Sequence, residues 1–96
     1  MLSQKQIDII IDSMMPYNPV RIGIFGSVAR NEETESSDID ILYRLKNSVG
    51  LFNLVRMKDS LEQKLNRKVD LVSDQFVHSR LKPQIMNDLK TIYRGD

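Results

Sequence analysis

The stretch at 21–43, RIGIFGSVARNEETESSDIDILY, constrains the fold more than any other part of the chain. Val20 begins an apolar run that ends at Phe25 and reads as a buried strand, and it breaks at Gly26-Ser27. Ten further residues lead to a second run that carries Asp38 and Asp40. Successive side chains of a strand face opposite sides, so these two carboxylates share a face, roughly 7 Å apart at Cβ, while Ile39 and Ile41 take the other. Two carboxylates on one strand face repel each other unless a cation lies between them. A hard divalent cation is the usual solution, and Mg²⁺ prefers one or two carboxylates together with substrate phosphates. Gly26-Ser27 is then a candidate phosphate cradle. Glycine admits close backbone approach, Ser27 adds a hydroxyl, and the N–H groups opening a short helical turn at Val28-Ala29-Arg30 favour an anion.

The flanking sequence supplies a scaffold. Ser3 with Gln6 has the form of a capping box, and Ile7, Ile10, Ile11 and Met14 follow at helical spacing in a helix that should end before Pro16. Pro19 disfavours helix at Asn18, so the chain turns and enters the first strand at Val20 or Arg21. Residues 29–37, with Glu32, Glu33, Thr34, Glu35, Ser36 and Ser37, read as a solvated loop. After the second strand at 38–45, Leu51, Leu54, Val55, Leu61 and Leu65 trace one face of a helix ending near Asn66. A third strand at 68–73, KVDLVS, puts Asp70 opposite Val69 and Leu71. Aspartate is depleted from strand interiors, so Asp70 joins the candidate site, with an ion pair to Lys68 or Arg67 as the plainer alternative. Leu81, Ile85, Leu89 and Ile92 predict a last helix reaching Tyr93-Arg94, with Pro83 in its first turn. Met14, Met15, Met57 and Met86 read as core filler. His78 has no Cys or His companion and is given no role.

The order helix, strand, strand, helix, strand, helix predicts an α+β fold. A small mixed sheet carries helices on one face and leaves the carboxylate face accessible. Ninety-six residues make a single domain, 1–96, with no repeat or linker. Fourteen basic residues against 13 acidic ones give no strong field toward nucleic acid or an anionic membrane. There is no cysteine, which removes disulfides, thiolate metal sites and cysteine nucleophiles. No run approaches a membrane span and no signal peptide opens the chain, so a cytoplasmic location is expected.

Gly26-Ser27, a ten-residue gap, Asp38-x-Asp40 and a strand-borne Asp70 together resemble the signature of the DNA polymerase β-like nucleotidyltransferase superfamily. Short length and the opening GSVAR are similar to its minimal nucleotidyltransferase (MNT) branch, the partners of HEPN-domain toxins. The resemblance implies that Gly26 and Ser27 hold the β- and γ-phosphates of ATP. It implies that Asp38, Asp40 and Asp70 bind two Mg²⁺ ions, with Asp70 also placed to take the acceptor's proton, and that Arg30 neutralises phosphate charge. The implied activity is transfer of AMP to a hydroxyl, a tyrosine, of a cognate HEPN toxin, which it silences as antitoxin. Two alternatives stand beside it: a non-catalytic antitoxin that acts by occlusion, and a nucleotidyltransferase for a small, antibiotic-type molecule. One departure is visible, because Asn31 stands where the family commonly has glycine.

Overall fold

The computed structural model describes residues 1–32, 34 and 37–95. Glu33, Glu35 and Ser36 of the expected loop, and Asp96, lie outside the described residues. Helix α1 (Gln4–Met14) opens on the expected capping box, with Ser3 Oγ accepting from Gln6 N and Gln6 Oε1 accepting from Ser3 N. Pro16 ends it in a 3₁₀ turn, Met15–Tyr17, and Asn18 takes the left-handed conformation that reverses the chain. Strand β1 (Pro19–Phe25) starts one residue earlier than the sequence suggests. A single helical turn, α2 (Gly26–Ala29), follows without a gap.

The rest of the chain adds β2 (Ile39–Leu45), α3 (Leu51–Leu65) and β3 (Val69–Ser73) close to the expected positions. The end differs. α4 (Lys82–Asp88) stops where Leu89 turns extended, and the chain continues as a fourth strand, β4 (Lys90–Arg94), where the sequence predicts helix. The spacing of Leu89 and Ile92 fits both periods over so short a span, and tertiary pairing with β1 decides it.

The sheet order is β3-β2-β1-β4, with β1 antiparallel to both β2 and β4, and β2 parallel to β3. The α3 crossover supplies the long connection that a parallel pair needs. Ile22 and Ile24 of β1, Ile39 and Ile41 of β2, and Val69 of β3 meet Ile10 and Met14 of α1 and Met57, Leu61 and Leu65 of α3 in one core. Each fully buried aliphatic side chain contributes about 1.5–3 kcal/mol relative to exposure. α4 packs elsewhere: it lies against β1 and α2, and its Ile85 is buried outside that core. Of the methionines, Met14 and Met57 are core residues as expected, whereas Met15 and Met86 are exposed. Leu51 and Val55, expected on the buried face of α3, are also exposed, whereas Leu54, Met57, Leu61 and Leu65 make that helix's contact with the core.

Candidate active site

The candidate residues gather at one end of the sheet because three chain segments end there on one face. Phe25, the last residue of β1, is the register partner of Asp40 on β2, and Asp40 is the register partner of Asp70 on β3. Paired residues on neighbouring strands project from the same side, so Asp40 and Asp70 stand side by side, with Asp38 two positions before Asp40. Ile39, Ile41 and Val69 point the other way and are buried, so core packing fixes the carboxylate face.

Gly26 closes this corner. Its φ of +76° is one that side chains rarely adopt, and a Cβ placed there would collide with Asp40 Oδ2. The glycine therefore permits both the turn and the approach of its backbone to the carboxylate. Ser27 and Gly26 are partly exposed at the mouth of the corner, while Val28 and Ala29 are buried beneath it. Arg30 N donates to Gly26 O and Glu32 N to Ser27 O, which winds the segment into a closed turn. Asn31 has φ of 59°, so the position where glycine is common is indeed left-handed, and asparagine meets the demand. The amino group of Met1 donates to Asn31 Oδ1.

Burial raises the Asp40 carboxyl above the ordinary carboxylate range, and the charges of Asp70 and Asp38 push it further, with Arg30 opposing. The three aspartates are thus within electrostatic reach of one another. They are not drawn into a shared ligand shell: among the described residues, no three His, Cys, Asp or Glu side chains are clustered closely enough to hold one ion. Asp38 and Asp70 are exposed and form no ion pair among the described residues, so neither is tied to a competing cation. Arg67, the plainer partner for Asp70, instead donates twice to Ser37 O, at 3.2 and 2.7 Å. Carboxylate oxygens are the donor type that hard divalent ions favour, and Asp40 and Asp70 present them side by side.

Arg30 reaches toward the site but is occupied. Its guanidinium donates to Glu32 at 3.2 Å and to Asp88 of α4 at 2.5 Å, and these hydrogen bonds hold its pKa above the ordinary value. Asp88 has no signal in the sequence, since only the fold brings α4 beside α2. Two other residues support the site. Glu62 of α3 accepts from Val69 N at 2.9 Å and so pins the start of β3 next to Asp70. Arg67, through Ser37, fixes the approach to Asp38. On the far side of Asp70 lies a groove of about 200 Å³, walled also by Tyr43, Leu51, Leu54, Val55, Lys58 and Leu71.

Residues 5–96 match the model of the family described as polymerase beta, nucleotidyltransferase. A Methanocaldococcus jannaschii protein, MJ0435, whose name proposes protein adenylyltransferase activity, is 42% identical over 79 residues, covering 82% of this chain and 85% of that one. A solved structure proposed to be a minimal nucleotidyltransferase superposes with a TM-score of 0.78 at 31% identity, over 91% of this chain and 89% of that one. The fold is shared as well with a toxin–antitoxin crystal structure holding AMP-PNP (TM-score 0.83, 22% identity, 94% of this chain and 74% of that one). It is shared too with the complex of a tri-AMPylated Shewanella oneidensis HEPN toxin and its MNT antitoxin (TM-score 0.78, 21% identity, 98% and 74%). A match across nearly the whole length, on a four-stranded mixed sheet with its glycine turn beside paired strand aspartates, places this chain in the polymerase β nucleotidyltransferase family, on its minimal nucleotidyltransferase branch.

Proposed function

We propose that the chain transfers AMP from ATP to a hydroxyl on a HEPN-type toxin, with a tyrosine as acceptor, and thereby acts as its antitoxin. The observation that carries the reading is the Asp40–Asp70 register pair beside Gly26, where crowded carboxylates meet a backbone turn open to a phosphate. Relatives named for protein adenylylation, and the fold's recurrence in complexes with AMP-PNP and with an AMPylated toxin, support it.

In this reading Asp38, Asp40 and Asp70 hold two Mg²⁺ ions. Bound there, the ions supply charge neutralisation for the triphosphate and a lowered pKa for the acceptor hydroxyl. Gly26 and Ser27 seat the β- and γ-phosphates through backbone N–H groups and the Ser27 hydroxyl. Asp70, on the edge strand, accepts the proton as the acceptor oxygen attacks the α-phosphorus and pyrophosphate leaves. Arg30 exchanges a carboxylate for a phosphate oxygen, which its forked guanidinium suits.

The test is incubation with α-labelled ATP and Mg²⁺, with and without a HEPN-type toxin, followed by gel and intact mass. Label on the toxin that disappears in Asp38→Asn/Asp40→Asn is the expected result. A stable, protective complex that takes no label, and that the same double substitution leaves protective, would replace catalysis with occlusion.

A further inference from the structure

The same sheet face carries, toward its other end, three arginines in one transverse row. Register pairs Arg21 of β1 with Arg44 of β2 on one side and with Arg94 of β4 on the other. Like charges directly opposite across strands are destabilising, so the fold gains nothing from this alignment. Among the described residues, one carboxylate answers it. Asp74, 10% exposed, lies 3.4 Å from the Arg21 guanidinium and 2.9 Å from that of Arg44, while Arg94 forms no ion pair among the described residues. These four side chains and Val20 line a cavity of about 170 Å³. Among the described lining residues, three positive charges less one negative leave +2. Arg21 and Phe25 are four residues apart on β1, which sets the row about 13 Å from the level of Asp40, beyond contact with the candidate active site.

We propose that this row is a binding site for a phosphoryl group, separate from the nucleotide's own. A terminal phosphate carries about −1.5 to −2 charges at neutral pH, which matches the uncompensated charge. Guanidinium forks on three adjacent strands, about 4.8 Å from strand to strand, can each engage an edge of one tetrahedral anion, whereas a lone carboxylate serves two of them, as Asp74 does. The ligand class is inorganic phosphate or pyrophosphate, or the terminal phosphate of a larger molecule.

The arginine Nε–Hε signals report directly in a ¹⁵N-edited NMR titration of the full chain with inorganic phosphate at constant ionic strength, and a second arm uses pyrophosphate. The signals of Arg21, Arg44 and Arg94 are expected to move together and saturate. Arg94→Gln, at an exposed edge-strand position, should weaken binding at least fivefold with the amide spectrum preserved, and Arg44→Gln should do the same. Asp40→Asn should leave it unchanged, which separates this site from the nucleotide site. Saturation by phosphate identifies a single phosphoryl group as sufficient, and saturation by pyrophosphate alone identifies a diphosphate as occupant. Shifts that do not saturate, that are matched by acetate, or that fall on Arg30 instead would overturn the proposal. So would saturation by an RNA oligonucleotide with neither small anion binding, because that describes a diffuse polyanion surface.

Discussion

Asp40 and Asp70 face each other as register partners across the parallel β2–β3 pair, and burial together with the charges of Asp70 and Asp38 raises the Asp40 pKa. A carboxylate whose folded-state pKa is raised binds its proton more tightly in the folded chain. Its contribution to stability is therefore present at acid pH and lost as pH rises from the unfolded value through the folded one. Asp40→Asn removes that loss. In chelator, the variant should melt a few degrees above the wild type at pH 7, with the difference shrinking toward pH 4, as thermal unfolding monitored by circular dichroism can read. Transfer activity in the same variant should fall by at least a hundredfold.

The same shift governs ion binding. Because a divalent ion competes with the proton on Asp40, affinity for Mg²⁺ should decline as pH falls through the raised value, beginning above the ordinary carboxylate range. Titration calorimetry with Mg²⁺ and a non-hydrolysable ATP analogue between pH 5 and 8 checks this. Proton release on binding should increase toward the acid end, and a pH-independent affinity would mean that Asp40 does not ligate.

Gly26→Ala probes the corner itself. The new methyl would meet Asp40 Oδ2 at a positive φ, so both conformational strain and overlap follow. A stability loss of about 1–3 kcal/mol by urea denaturation, together with loss of nucleotide binding, is expected. Asp40→Asn combined with Gly26→Ala should not recover binding.

Much of this was legible in the sequence, for reasons that particular residues make plain. Ile39, Ile41 and Val69 alternate with Asp38, Asp40 and Asp70, and a period of two is enough to place three carboxylates on one face. Ser3 and Gln6 announce the first helix through a contact within one turn. Asn31, standing in for glycine, indicated its own backbone conformation. What escaped depends on contacts between distant segments. Leu89 and Ile92 fit a helix as well as a strand until β1 supplies a pairing edge. Asp88 acquires its meaning from Arg30, 58 residues earlier in the chain. Leu51 and Val55 obey helical spacing, yet nothing in that spacing says which of its leucines and valines the core covers.

Arg30 is held by Asp88 and Glu32. Asp88→Asn weakens that hold and should lower the KM for ATP two- to fivefold with little change in kcat. Arg30→Ala should raise KM instead. Steady-state kinetics on the two variants distinguishes a phosphate-binding arginine from one that only fastens α4 to α2.

Glu62→Ala takes away the acceptor for Val69 N at the start of β3. Loss of a charge-assisted hydrogen bond at a partly buried site should cost about 1.5–3 kcal/mol in chemical denaturation. Hydrogen exchange should quicken at Val69 more than elsewhere in the sheet, and turnover should drop although Glu62 is not among the proposed ligands.

The segment 62–70 compresses several duties into nine positions: the pin at Glu62, the left-handed helix end at Asn66, the double donation from Arg67 and the carboxylate of Asp70. Its length is consequently a matter of parity. One residue gained or lost between Asn66 and Val69 would exchange the two faces of β3, sending the acid toward the core and the valine toward solvent, while composition hardly changed. Tolerance here should come in steps of two residues rather than one. A library of insertions across this connection would sort into odd and even classes before any side chain was altered.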